Sequence, residues 1–493
     1  MAKTKTPSFV LTLKLNTSPS DERELARRFY NANHMHNKLV KHARKALSSL
    51  RQDKACRALM KERSSLSGKN DPVSKRRRAD IGRQLSELRL DYGLSEYQFH
   101  AWIKVQQHRY ARTIDSHTAQ KIATGAWRAV ESVLYRKGKS VRFKKLEDLT
   151  SLEGKTNASG IRFSGGRLRW LGLVIQPQLR KGDVYARQAI RHRVKYCRIK
   201  RMAVGSSWDY YLQLVLEGTP PKKHAFRDGF VGLDQGTSSE AVFSEEGCIL
   251  TELAPERRDI SREAARLQRK MDRSRRATNP DRYAPDGTVK RIRRPWKRSG
   301  AYRKAHFRLK ALRRRNADFV RQEEERLANV VLTKHGSDII TEPMDYRALQ
   351  RRSRQDRLTK TGRHRSKKRF GASLAVHAPG RFRGILERKL SYEGKTISYV
   401  DQWKYRASQY DHTTGEYTKP RLGDRTKTIG GRLVQRDLYS AFLLYCAKDT
   451  VTIDRALCEA MFPVFLKHHD SCIAGLMGLN RALSSFGLKD FAV

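Results

Sequence analysis

A chain with 104 Lys and Arg against 50 Asp and Glu carries a formal charge of +54 at neutral pH. Self-repulsion on that scale works against any compact state unless a polyanion neutralises it. Nucleic acid fits that role, through many phosphate contacts. A membrane surface fits worse, because no long basic helix with a dense apolar face stands out. The 19 Tyr, 17 Phe and 6 Trp, within an apolar fraction of 38 %, are enough to build cores. At 493 residues the chain exceeds what one core organises, so two or three modules are expected.

Cys56, Cys197, Cys248, Cys446, Cys458 and Cys472 include no Cys-x-x-Cys pair, which argues against a zinc ribbon and against a disulfide framework. The opening residues Met-Ala-Lys-Thr-Lys-Thr hold no apolar signal segment, and no run approaches a membrane span. The expectation is a soluble cytoplasmic protein with no membrane partner.

Residues 9–15 alternate, with Phe9, Leu11, Leu13 and Leu15 on one face, and predict a strand. Ser20 or Asp21 is expected to cap a following helix that carries Leu25, Phe29, Ala32 and Leu39. The helical pattern continues to about Leu134, broken by turn residues near 68–73, and its densely charged part, 51–89, reads as solvated or RNA-facing. Strand patterns then return. Ile161-Arg-Phe163 and Leu168-Arg-Trp170 flank Gly165-Gly166, a two-residue hairpin turn, and 196–202 and 210–216 are extended. One strand, a helical insert and several more strands describe a β-barrel split by a helical domain. Pro220-Pro221-Lys222-Lys223 is the linker closing this half.

The second half opens with strands at 230–236, 239–244 and 249–253, the start of an α/β layer. Residues 256–315 then hold 23 basic and 6 acidic residues, and 347–370 hold 11 basic residues against Asp356 alone. The latter stretch is expected to order only on binding. There is no internal repeat.

Three acids stand in contexts that suit metal-dependent phosphodiester chemistry. Asp234 ends an apolar strand in Val231-Gly-Leu-Asp234-Gln-Gly, Glu342 ends another before Pro343, and Asp437 starts an apolar helix. A carboxylate at a strand end is held rigidly and projects into the crevice beside an open sheet. Three of them can hold two Mg²⁺ ions about 3.5–4 Å apart, activating water and stabilising the leaving oxygen. Magnesium suits the task because it prefers oxygen and leaves coordination free for phosphate. Taken singly, Asp437 reads equally well as a helix cap and Glu342 as an arginine partner; the ordered trio within so basic a chain is the stronger signal.

The order Val231-Gly-Leu-Asp234-Gln-Gly, Ile339-Ile-Thr-Glu342 and Arg436-Asp437-x-x-Ser-Ala resembles the three split RuvC motifs of the transposon-encoded TnpB nucleases and the related compact type V CRISPR effectors. Residues 9–15 with 31–39, the basic helix at 306–331, and Tyr405-Arg-Ala-Ser408-Gln409 are similar to further family segments. The likeness spans most of the chain, in pattern only over 45–225 and hardly over the last 45 or so residues. One departure stands out. By spacing, the family's four zinc-knuckle cysteines fall on Asp411, Thr414, Lys427 and Gly430. A metal-free loop held by hydrogen bonds is expected there, without zinc, and His468-His469 near Asp470 and Cys472 is expected to be ordinary helix surface.

The resemblance implies an α+β multidomain fold. It consists of a wedge-like split β-barrel at 1–18 plus 135–226, a helical recognition domain at 19–134, and an RNase H-like (RuvC) α/β nuclease domain at 227–493. The nuclease domain would include a basic helical segment at 256–335, a basic lid at 346–372, a degenerate zinc-knuckle loop at 401–436 and a helical tail at 447–493. The implied function is an RNA-guided DNA endonuclease that binds a guide RNA as a monomer or homodimer. It reads a short target-adjacent motif on double-stranded DNA and cuts with one RuvC-like site. Asp234, Glu342 and Asp437 would hold two Mg²⁺, with Mn²⁺ able to substitute. Arg293, Arg294, Trp296, Lys297, Arg313, Arg314, Arg351, Arg352, Lys367 and Lys368 would contact nucleic acid. Tyr30, Trp102 and Trp127 are further stacking candidates, of which the two tryptophans fit core packing better. Two other functions share these features: a nuclease-inactive, guide-dependent DNA-binding repressor and a DNA-strand-transfer transposase.

Overall fold

The computed structural model describes residues 6–135, 138–205, 207–292, 294–352, 355, 358–359, 361–362, 364, 370–421, 423–479 and 486–491. The chain divides into two units, Met1–Pro221 and Lys222–Val493.

The first unit opens with β1 (Ser8–Lys14), whose Phe9, Leu11 and Leu13 are buried while the alternate residues are exposed. Five helices follow: α1 (Pro19–Gln52), α2 (Lys54–Ser65), α3 (Pro72–Asp91), α4 (Glu96–Arg109) and α5 (Ser116–Leu134). Then come β2 (Ser151–Glu153), β3 (Arg162–Ser164), β4 (Arg167–Trp170), β5 (Leu173–Ile175), α6 (Val184–Ala189) and the long hairpin β6 (Val194–Val204) and β7 (Ser207–Glu217). Ser18, not Ser20 or Asp21, caps α1. Its Oγ accepts from the Asp21 amide at 3.1 Å, the Asp21 carboxylate accepts from the Ser18 amide at 2.9 Å, and Pro19 pre-sets the first turn. The helical run breaks more often than its pattern suggests, because Asp53, Asp71, Ser95 and Asp115 each cap a new helix. The strands form a four-stranded sheet in the order β1-β7-β6-β2 and a separate three-stranded sheet β3-β4-β5. Gly165 and Gly166 take positive φ and join Ser164 to Arg167, as a two-residue hairpin turn requires. One core unites Leu212 and Leu214 of β7 with Leu25 and Phe29 of α1 and Ala123 of α5, and Trp102 and Trp127 pack half-buried against it.

The second unit runs β8 (Phe230–Gln235), β9 (Ser239–Ser244), β10 (Gly247–Glu252), α7 (Ser261–Thr278), α8 (Gly300–Val330) and β11 (Asp338–Thr341). It continues through α9 (Tyr346–Leu349), α10 (Gly371–His377), α11 (Pro379–Ser391), β12 (Ser398–Tyr399), β13 (Thr426–Ile429), β14 (Arg432–Gln435), α12 (Arg436–Tyr445) and α13 (Arg455–Gly478). Its main sheet has the order β10-β9-β8-β11-β12. β8 to β10 form an antiparallel meander, β11 runs parallel to β8, and β12 parallel to β11. Both faces are covered. Val231 and Leu233 point to one side, among Ala328 of α8 and Phe382, Ile385 and Leu386 of α11. Ala241 and Phe243 of β9 point to the other, among Leu438 and Phe442 of α12 and Phe465 of α13. No helix among the described residues is long and apolar enough to cross a membrane.

Candidate active site

The three acids meet at one end of this sheet. Gly232 of β8 faces α12, and a Cβ there would lie 1.8 Å from the Ala441 carbonyl oxygen and 2.5 Å from the Tyr445 nitrogen. Only glycine lets the helix lie directly on the strand. Strand alternation puts Asp234 on the same face, two residues on. The facing helix carries Asp437 in its first turn. On the other side of β8, Thr341 pairs in register with Leu233, and its buried Oγ1 donates to the Leu233 carbonyl at 2.6 Å. Glu342 follows at once, level with Asp234.

Each acid is tethered differently. The Ala407 amide donates to Glu342 Oε1 at 3.3 Å. Asp437 lies 3.2 Å from the Arg436 guanidinium and 3.7 Å from that of Arg425. The helix that bears it is capped by Gln435, whose Oε1 accepts from the Leu438 amide at 2.7 Å. The Gln435 amide in turn donates to His469 Nε2 at 2.9 Å. The surface expectation for the His468-His469 pair therefore fails for His469, which is fully buried. Its environment comes from a partner 34 residues away, which local periodicity does not report.

Electrostatically, Asp234 is the acid on which the other two act. Burial raises the Asp234 carboxyl well above the ordinary carboxylate range, and the charges of Asp437 and Glu342 raise it further, against a smaller lowering by Arg436. Burial also raises Glu342, partly offset by the Ala407 N–H. A buried carboxyl whose ionisation is opposed by neighbouring acids, as that of Asp234 is, is the arrangement a divalent cation reverses. Among the described residues no group of three His, Cys, Asp or Glu side chains closes on a single ion. The donor set is all oxygen and open, which fits an ion that takes one or two carboxylates and completes its shell with water and phosphate, as Mg²⁺ does.

Behind Asp234 lies a second polar group that the sequence did not flag. Gln235 and Glu240 face one another across β8 and β9 on the α11 side, both buried. No described residue satisfies by geometry the Gln235 amide, either Glu240 oxygen or the Tyr346 hydroxyl. Burial, then Asp234 and Glu324, push the Glu240 carboxyl well up, while the Gln235 amide and Arg383 pull the other way. The only local clue was a glutamate inside an otherwise apolar strand.

The described nucleic-acid candidates lie on segments other than the elements that bear the three acids. Arg294 and Lys297 are exposed on the segment joining α7 to α8. Trp296 is half-buried there, with the Arg282 and Arg275 guanidinium groups 4.5 and 5.3 Å from its ring and Tyr283 edge-on at 6.0 Å. Arg313 is exposed on α8, while Arg314 pairs with Asp318 at 2.8 Å. Arg351 and Arg352 are exposed after α9. Arg293, Lys367 and Lys368 lie outside the described residues, as does much of the expected lid. At the knuckle positions, Asp411 Oδ1 accepts from the Thr413 amide and hydroxyl at 2.9 and 2.7 Å. Lys427 donates to the Tyr410 carbonyl at 2.8 Å, and Gly430 turns the β13–β14 hairpin. His412 is buried against the Tyr439 hydroxyl at 2.7 Å.

No family model and no curated protein matches the chain. Solved structures that align with it include a Cas12f1–sgRNA–target DNA complex, at 11 % identity and a TM-score of 0.37, covering 88 % of this chain and 98 % of that one. They also include a CRISPR-Cas12f ternary complex, at 12 % identity and a TM-score of 0.24, covering 88 % of this chain and 83 % of that one.

Proposed function

We propose that the chain is an RNA-guided, Mg²⁺-dependent DNA endonuclease. The observation that carries this reading is the convergence of Asp234, Glu342 and Asp437 at one sheet end, where Asp437 and Glu342 each raise the Asp234 carboxyl. Divalent ions bound among these oxygens would supply Lewis acidity at the scissile phosphate and lower the pKa of the attacking water. Asp234 is fixed by β8, Glu342 by the Ala407 N–H, and Asp437 by the capped turn of α12. Arg425 and Arg436 put positive charge beside Asp437, where an incoming phosphodiester needs a counter-charge.

The charge excess supports the choice of partners. α7 buries none of its residues and, with the exposed cations of α8, offers a long basic surface for a guide RNA or its heteroduplex. In this scheme base pairing supplies sequence specificity, while the protein reads a short motif on duplex DNA. The knuckle positions, occupied by Asp411, Thr414, Lys427 and Gly430, do not make a zinc site in this reading.

The test starts with RNA. The full chain, purified from cells that carry its flanking sequence, should retain a discrete RNA. With Mg²⁺ it should cut a duplex matched to that RNA, and Asp234→Ala should stop cutting while leaving RNA and DNA binding in place. Absence of bound RNA, end joining without RNA, or undiminished cutting by Asp234→Ala would each overturn the proposal. Tight target binding without cutting in Mg²⁺ or Mn²⁺ would favour the repressor.

A further inference from the structure

On the segment whose Ala407 amide binds Glu342, the chain presents an aromatic ring that no core uses. Trp403 is 81 % exposed, on the segment that leaves β12 and runs to Ala407. Leaving so large an apolar surface in water is unfavourable, and a lone exposed tryptophan on a mobile loop would carry little meaning. This segment is pinned at nearly every residue. The Asp401 amide donates to the Thr450 carbonyl at 2.7 Å, and its carboxylate accepts from the Trp403 amide at 2.9 Å. The Lys404 and Tyr405 amides both donate to the Asp401 carbonyl, at 3.1 and 2.8 Å. Buried Tyr405 donates its hydroxyl to the Leu443 carbonyl in α12 at 2.5 Å. Arg406 is held in the left-handed region at φ +46°, with its guanidinium 4.3 Å over the Tyr417 ring, and the next amide is the one that binds Glu342. Strain in a non-glycine residue next to a functional carboxylate persists only where the surroundings enforce it.

Position completes the case. Four Cα–Cα steps take Trp403 to Ala407, a span of at most about 14 Å. That corresponds to no more than about four nucleotides of a stacked strand at roughly 3.4 Å each. Exposed Lys404 and Arg406 follow Trp403 in the chain and add positive charge to the same segment. A rigid aromatic face with adjacent cations binds single strands whatever their sequence, because every base offers a π-face.

We infer that Trp403 is a stacking platform for an unpaired base of the DNA strand entering the carboxylate site. The inference rests on the nuclease reading for its choice of DNA, but its test does not need cutting. A paired base hides both its faces, so the platform would favour a strand that has left its duplex and hold it at a set distance from Glu342.

The experiment titrates single-stranded DNA carrying 2-aminopurine at successive positions onto the full chain with its co-purified RNA, in EDTA. One position should be quenched. Trp403→Ala should abolish that quenching and weaken single-strand binding about 10-fold or more, while Trp403→Phe keeps most of both. Because the ring is exposed, both variants should melt like wild type. Quenching unchanged in Trp403→Ala overturns the inference. So does a Trp403 emission already buried before nucleic acid is added, which would mean another segment or a second copy covers it. Quenching by 2-aminopurine RNA alone would assign the ring to the guide and equally reject the DNA platform. Trp403-dependent quenching by DNA in a protein that cuts nothing in Mg²⁺ would leave the platform standing and remove the nuclease.

Discussion

The two faces of β8 make opposite use of buried acid. On the α12 face, Asp234, Glu342 and Asp437 are half-buried rather than sealed, with Arg425 and Arg436 beside Asp437. On the α11 face, one residue along, Gln235 and Glu240 are sealed from solvent with Tyr346 above them, and none of their side-chain polar atoms is satisfied by geometry among the described residues. Burial raises the carboxyl pKa on both sides. The difference is access. On the open face mutual repulsion stays available for a cation and a phosphate to relieve, whereas on the closed face the same penalty has no outlet. Strand alternation alone separates the open candidate site from a sealed polar interior.

The largest effect is expected from an isosteric amide on the open face. Asp234→Asn keeps the shape of the open face but removes its central charge. Cleavage should fall about 1,000-fold or more, since several kcal/mol of transition-state stabilisation are lost. Thermal stability should hold or rise as like-charge repulsion is relieved. Single-turnover cleavage and a melting curve on the same sample check both. A variant that loses stability and activity together would mean the charge is structural.

Gly232→Ala attacks the contact that defines the open face. Its Cβ would meet the Ala441 carbonyl oxygen at 1.8 Å, a backbone atom that cannot swing away. Displacing α12 should destabilise the second unit by about 3 kcal/mol and disable cutting with it. Denaturant unfolding of the full chain measures the loss, which would be absent if α12 did not depend on this approach.

His469→Phe is a milder break in the same support. Aromatic packing against Phe465 is retained, but the Gln435 amide loses its acceptor. An unsatisfied buried amide costs about 2 kcal/mol. There is a pH signature as well. Burial lowers the His469 pKa below its usual 6.5, so the folded state resists protonation. Its stability contribution is full above that value and is lost as pH falls below it, where the unfolded chain takes up the proton first. His469→Phe should flatten this part of the acid limb of the melting profile.

Particular residues show where the sequence was legible. Phe9, Leu11 and Leu13 of β1 are written in a local period-two pattern that burial follows directly, Gly165-Gly166 is a local turn signal, and Val231 to Leu233 is a short apolar run buried on both faces. The cap of α1 was expected at Ser20 or Asp21, but Pro19, fit for the first turn and not for the cap, puts it at Ser18. Asp53 and Asp115 ended helical periods without glycine or proline to announce it. Strand-end acids could be picked out because their contexts are local. The Gly232 contact with α12, the buried His469 and the two-residue strand β12 arise from partners far along the chain. Glu240 was hidden for a different reason. A lone glutamate in a strand reads as solvent-facing until a helix covers that face, and here α11 does.

The smallest effect belongs to the closed face and sharpens the contrast most. Glu240→Gln keeps the side-chain shape and removes a carboxyl whose ionisation the interior opposes. For a carboxyl raised above its unfolded value, the favourable contribution is complete below the usual 4.5 and is lost progressively as pH climbs toward the raised value. At neutral pH the wild type therefore carries a penalty that the amide lacks. The variant should be more stable by about 1 kcal/mol, with the gain shrinking as pH falls toward 4.5 and cleavage unchanged. Melting wild type and Glu240→Gln in parallel from pH 4 to 8 isolates the term, because His469 is common to both and cancels. A variant that is less stable at pH 7, or that stops cutting, would make Glu240 a working partner of Asp234 and join the two faces into one site.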